Sequence, residues 1–213
     1  MSSQLIKRAL TGVLLLGAIS AVWVGGRAAW ADMLQLQVRY NISRWQAGTA
    51  PLPPIAAWGE ARNALMQALA ITPDDPQIHE NLGYLYGLRA LSSKDIPELY
   101  QAMLGQAQVY SRNATRLRPM SPHPWANIAL ASHYRGDAGA PLWDAFDRAM
   151  AYGQREPSVQ VTLAEVGFAR WGELTEPRRS QLLAMVNQAL PHSKGPLLEI
   201  ARRYGHSALL LQP

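Results

Sequence analysis

The chain has 213 residues, 48% of them hydrophobic and 16% charged, with two phenylalanines and no cysteine; this suffices for one folded domain with an appendage and closes off disulfides, thiolate metal sites, thiol catalysis and lipoprotein acylation. Its net charge of +5 sits in the N-terminal arm, where the first 50 residues hold Lys7, Arg8, Arg27, Arg39 and Arg44 against Asp32 alone, a balance of +4. The rest of the chain is close to neutral and offers no field for a nucleic acid.

From Ala9 to Gly26 no residue is charged, and Trp23 and Trp30 stand where interfacial aromatics belong, so residues 9–30 are predicted to cross a membrane as a helix. A cleavable signal peptide ending at Ala29-Trp30-Ala31 fits the same residues, although the apolar run is long for a signal. The short tail before Lys7 and Arg8 favours a cytoplasmic N-terminus and a periplasmic domain, in a single-pass protein of a bacterial inner membrane. Beyond the span Leu34, Val38, Asn41, Ile42 and Trp45 recur at helical spacing, which predicts an amphipathic continuation to about Gln46 whose stripe packs on the soluble domain. Gly48 to Pro54, with three prolines, then breaks the helix. The expected division is an anchor at 1–31, a stalk and Pro-rich linker at 32–54, and a repeat domain at 55–213.

Ala61, Leu65, Ala68 and Pro73 reproduce the second-helix pattern of a tetratricopeptide repeat, in which small residues let two helices approach and the proline stops the chain. With Pro76 as the first position of the next unit, Leu82, Gly83 and Tyr86 fall at the Leu-Gly and Tyr positions of that family's first helix. The register returns with Ala107, Ala114 and Pro119, followed by Trp125 and Ile128, and Gly136-Asp137 supplies the turn inside the pair. Ser111 occupies a position where a large apolar residue is expected, and Leu91 to Gln106 reads as an insertion, with Ser93 to Glu98 as cap and start of a helix reaching Leu117. Phe146 and Ala149 suit a further second helix before Pro157. Val159, Leu163, Val166, Phe168 and Trp171 predict a helix ending at Gly172. Leu182, Leu183, Val186 and Leu190 predict one closed by Pro191, and a last helix from about Pro196 to Tyr204 would cap the stack. The expected fold is all-α: an N-terminal transmembrane helix followed by a degenerate tetratricopeptide-like α-solenoid of about seven to eight helices.

Leu117 to Leu174, with its Ser-Pro-x-x-Trp-Ala and Arg-Glu-Pro stretches, and Ala-Arg-Arg-Tyr-Gly at 201–205 resemble the VpsP-type family of bacterial polysaccharide biosynthesis proteins. The resemblance extends over about residues 57–210. It implies one membrane helix, a degenerate repeat domain and an accessory, non-catalytic place in exopolysaccharide assembly or export.

The residues themselves offer little chemistry. His79, His123, His133, His192 and His206 form no pair that would place two ligands on one helical face, so no metal or other cofactor is expected. Asp74-Asp75 follows Pro73 in a turn, and Asp144, Asp147 and Arg148 read as a solvated face. No nucleophile elbow, Walker loop or dinucleotide loop is present. Arg178-Arg179 and Arg202-Arg203 are expected to be solvated surface groups.

A stack of this kind binds on its concave face, where the expected groove residues are Gln77, Asn81, Tyr84 and Leu88 from one helix and His123, Asn127, Leu130, His133 and Tyr134 from the next. Asn81 and Asn127 stand where chaperone-binding relatives grip a peptide carboxylate, but the cationic partners of that clamp are missing. The sequence therefore predicts a membrane-tethered scaffold for proteins of a membrane complex, not an enzyme, with no small-molecule substrate. An integral accessory subunit of a larger membrane enzyme, or a protein released after Ala31, remain as alternatives.

Overall fold

A computed structural model describes residues 3–46 and 49–210. Among these the regular structure is helical throughout: α1 (Ser3–Gln46), α2 (Ile55–Ile71), α3 (Pro76–Leu91), α4 (Pro97–Leu117), α5 (Pro122–Arg135), α6 (Ala140–Gly153), α7 (Pro157–Ala169) and α8 (Glu176–Arg203), with 3-10 turns at Trp171–Glu173 and Ser207–Leu210. The all-α solenoid read from the sequence is what the chain forms.

At 1.5 Å per residue α1 is about 66 Å long, and it combines two environments without a break. Its first part is exposed and is the one helix among the described residues that is long and apolar enough to cross a membrane. Its second part buries Ala31, Val38 and Ile42 in one cluster with Ala61, Leu65 and Ala68 of α2 and Ile78, Leu82 and Leu85 of α3, with Leu34 and Trp45 packed against it. The expected amphipathic stripe thus faces the repeats. By packing, α1 is the first helix of the first hairpin, and the segment at 49–54 is the turn inside that hairpin; Gly48 lies outside the described residues.

Successive hairpins follow the same logic. Asp75 accepts from the Gln77 amide at 2.8 Å and caps α3, which is the work expected of an aspartate after Pro73. His79, buried beside it, donates from Nε2 to the Pro73 carbonyl at 2.9 Å and so serves the turn. Prolines in the first turn of α3, α5 and α7 sit where a missing N–H costs nothing. Gly136 ends α5 with φ +78°, a left-handed residue closing the helix as glycine does best.

Gly83 shows why Ser111 is small. A β-carbon at Gly83 would stand 2.6 Å from the Ser111 hydroxyl and 3.3 Å from the Ala107 carbonyl, so α3 and α4 meet at this point by leaving volume out. We expect Gly83→Ala to destabilise the protein by about 1–3 kcal/mol, the overpacking cost exceeding the roughly 1 kcal/mol gained in helix propensity. Ser111→Gly in the same chain should recover part of the loss in denaturant titrations. Equal stability of Gly83→Ala and the parent protein would refute the close approach.

Two local expectations need correction. Ser93 does not cap α4: its hydroxyl donates to the Arg89 carbonyl at 2.8 Å and closes α3, while α4 starts at Pro97. The apparent insertion is absorbed by the 92–96 turn and by the 21 residues of α4. Trp171 falls outside α7, in the 3-10 turn that follows. Pro191 and Pro196 bracket a kink at Ser193, whose φ of −128° is non-helical, so the two helices expected on either side both form and meet end to end within α8.

Two clusters share the apolar burial. One joins α1 to α4; the larger, around Phe146, Leu163, Phe168, Leu182 and Leu197, joins α5 to the C-terminal turn. Between them lies a small group, Ala90, Leu104 and Ala131.

Candidate partner-binding groove

The first helices of successive hairpins, α1, α3, α5 and α7, line a cleft of about 880 Å³, closed at its far end by Ser193 and Pro196 at the kink of α8. Each proline-led helix contributes the same positions. One residue after the proline come Gln77, His123 and Ser158; five residues after it come Asn81, Asn127 and Thr162. The repeat therefore places a ladder of amide and hydroxyl groups across the concave face, because equal spacing from an equal start keeps the same helix face turned inward.

Asn81 is the deepest rung, 5% exposed. Its Oδ1 accepts from Gln77 Nε2 at 3.2 Å, while its Nδ2 has no acceptor among the described residues. A buried amide donor without a partner costs about 1–3 kcal/mol, so a ligand carbonyl reaching Asn81 would recover that amount. Tyr84 stands one turn further along; burial pushes its phenol up to about 12, so it stays a neutral donor.

Glu80 brings the one carboxylate in the cleft. Ser121 Oγ donates to it at 3.4 Å and His123 Nδ1 lies 3.9 Å away. Burial raises the Glu80 carboxyl above its ordinary range, and the neighbouring His123 and Arg118 oppose that rise. On the α1 wall, Arg39 is held by Asp32 at 2.6 Å, which keeps the Asp32 carboxyl below its ordinary value. Ser43, Trp45 and Gln46 complete this wall.

Of the nine groove residues expected from the sequence, Gln77, Asn81, Tyr84, His123 and Asn127 share the cleft. Leu130 and Tyr134 line a separate hollow of about 310 Å³ with Glu165 and Arg203. There Glu165 accepts from Tyr134 Oη at 3.2 Å, Tyr204 Oη at 2.7 Å and Arg203 Nη1 at 3.2 Å, an arrangement that fastens the C-terminal turn to α5 and α7. Leu88 is buried and lines neither hollow. His133 is half-buried, and its Nδ1 accepts from Arg170 Nε at 3.1 Å. Burial, then the Arg170 charge, holds its imidazole below the ordinary value.

Glu80 and the contributions of α1 and α7 were missed by sequence reasoning. The signal existed: Pro157 stands to Ser158 and Thr162 as Pro76 stands to Gln77 and Asn81.

Of the arginines expected at the solvated surface, Arg202 is exposed, while Arg178, Arg179 and Arg203 are engaged within the fold. Arg178 makes a two-pronged pair with Asp147, 2.8 Å at each prong, and lies over the Trp143 ring; Arg179 donates to the Trp171 carbonyl. The guanidinium matches the carboxylate fork, and this pairing takes Asp147 out of the face assigned to Arg148, which keeps Asp144. Arg203 is held by Glu165 and Glu199. No group of three or more His, Asp or Glu side chains able to hold a metal ion occurs among the described residues.

Antiparallel hairpins stacked in one register, with small residues at their crossings and a polar concave face, define an α-solenoid of the tetratricopeptide class. A family model described as a TPR repeat matches residues 57–88, which take in most of α2 and α3, the second helix of one hairpin and the first helix of the next. No curated protein and no solved structure matches the chain.

Proposed function

We propose that this chain is a membrane-tethered, non-catalytic scaffold whose cleft holds an extended segment of a partner protein. The observation that carries the reading is the ladder Asn81, Asn127 and Thr162, with the Asn81 Nδ2 donor buried and unpartnered. Side-chain amides and hydroxyls at regular intervals suit the repeating carbonyl and N–H groups of a polypeptide backbone. Repeats of this class typically serve as protein-interaction modules, which supports a binding role over a catalytic one.

Residues 9–30 are the anchor in this reading, within the single apolar helix long enough to span a bilayer. The repeat domain lies on the periplasmic side of a bacterial inner membrane, and the partners are proteins of a membrane complex. The place of that complex in exopolysaccharide assembly or export rests on the resemblance of residues 57–210 to the VpsP-type family. Asn127→Arg with Thr162→Arg would fill the cleft from two partly exposed positions. Partner recovered from detergent-solubilised membranes should fall at least about tenfold, since an uncompensated charge in an occupied groove costs more than 1.4 kcal/mol. Undiminished recovery with unchanged helicity would exclude the cleft.

A second reading is an integral subunit whose span packs inside a larger assembly, where Gly12, Gly17, Gly25 and Gly26 would let a neighbouring helix approach closely, although none makes a G-x3-G pair. Exchanging the span for an unrelated membrane helix separates the two: a tether keeps its partner and a packed subunit loses it.

A further inference from the structure

We propose that the edge of the solenoid formed by the turns between successive hairpins rests on the anionic surface of the bilayer that α1 enters, with Arg116, Arg118 and Met120 as its contact. The inference depends on α1 spanning the membrane.

The position of this edge follows from three contacts. Arg27 Nη2 donates to the Ile71 carbonyl at 3.3 Å, and Gln35 Nε2 donates to Asp75 Oδ2 at 3.4 Å. These pin the α2–α3 turn to the part of α1 that directly follows the uncharged run. Ile71 also forms an apolar notch with Val22, Trp23 and Trp30, so the surface suited to lipid passes from α1 onto the domain. Glu80, in the first turns of α3, is met by Ser121 and His123, which sets the α4–α5 turn beside the α2–α3 turn at the same end of the stack.

What that neighbouring turn presents is unusual for a water-facing loop. Arg116, Leu117, Arg118, Pro119 and Met120 are all exposed, Met120 at 71%. No aspartate or glutamate occurs between Glu98 and Asp137 in the sequence. Among the described residues Arg116 and Arg118 have no carboxylate within ion-pair distance, although the Arg118 charge acts on the Glu80 carboxyl of the cleft. Arg155, on the α6–α7 turn, likewise lacks one. Of the acidic groups near this edge, Glu80 faces the cleft beside Ser121 and His123, Asp75 caps α3, and Asp74 and Glu156 belong to the flanking turns. Two arginines around an exposed leucine and methionine, level with the outer end of a membrane helix, fit phosphate headgroups above and acyl chains below.

The absence of cysteine makes the test direct, because one introduced cysteine can be labelled alone. The full chain is reconstituted into phosphatidylcholine vesicles with about a third phosphatidylglycerol. An environment-sensitive fluorophore is placed in turn at Met120→Cys, at Ile96→Cys on the opposite edge, and at Leu16→Cys in the span. Headgroup- and acyl-chain-bound spin labels serve as quenchers. The label at 120 should be quenched at least about twofold more than that at 96, and the difference should vanish in Arg116→Glu/Arg118→Glu and in pure phosphatidylcholine. Quenching at 16 with 120 indistinguishable from 96 overturns the edge contact alone. Absence of quenching at 16 overturns the span, and the edge contact with it. Quenching at 120 that ignores both lipid charge and the two glutamates overturns the role given to the arginines.

Discussion

Phe146→Ala should lower the unfolding free energy by about 3–5 kcal/mol, the largest effect we expect from a single truncation. The ring is 1% exposed and meets Trp143 edge-on at 5.6 Å, so its loss removes an aromatic pair and leaves a void that neighbouring helices cannot close without moving. In a solenoid each hairpin is stabilised by its neighbours, and between the two large clusters here lies the small group of Ala90, Leu104 and Ala131. The damage should therefore stay local. Hydrogen exchange should show α6, α7 and α8 losing protection while α2 and α3 keep theirs. Uniform loss along the chain would mean that the halves fold as one cooperative unit.

Arg170→Met should cost roughly 2–4 kcal/mol, because it takes from the Asp137 carbonyl and His133 Nδ1 the donor they have in the fold. Only 11% of the Arg170 side chain is exposed. Its Nη2 donates to the Asp137 carbonyl at 2.8 Å, its Nε to His133 Nδ1, and its Nη1 to Glu173, so one residue joins the turn after α5 to the end of α7. The pH dependence carries a second signature. In the folded state the His133 imidazole lies below its ordinary value of 6.5, so the unfolded chain takes up the proton first. The stability this group contributes is complete above 6.5 and is lost as the pH falls through the folded value. Arg170→Met leaves burial as the remaining depressing cause, so the imidazole should titrate closer to 6.5 and the acid-side slope of urea midpoints should flatten. An unchanged slope with an unchanged midpoint would show that Arg170 is not the fastener described.

The helices were legible in the sequence wherever an apolar or small residue recurred at helical spacing and a proline or glycine closed the run. Ala61, Leu65 and Ala68 are buried as their spacing required, and Gly83 sits at the crossing that its repeat position implies. Pro191 and Pro196 likewise bracket the break at Ser193, where two helices meet at a kink. Ser93 was misassigned because a hydroxyl near a helix end can serve either the helix before it or the one after it. In the cleft, five residues followed from repeat position, while Leu130 and Tyr134 did not join them because the α8 bend at Ser193 and Pro196 divides the concave face. Arg178 and Arg203 could not be placed from sequence, since their partners Asp147 and Glu165 lie on other helices.

The unbroken course of α1 has a geometric consequence. From Ser3 to Gln46 the helix has no proline and no described bend, and its second half is itself the first wall of the cleft. Any neighbour that grips one face of the exposed part of α1 therefore also fixes the compass bearing of the cleft around the helix axis, without a swivel between them. One residue added or removed above the Arg27 contact would turn that bearing by about 100° and shift its height by about 1.5 Å. The number of residues between a grip on that part of the helix and Arg27 thus works as an angular setting, which decides the side on which the ladder faces the gripping neighbour.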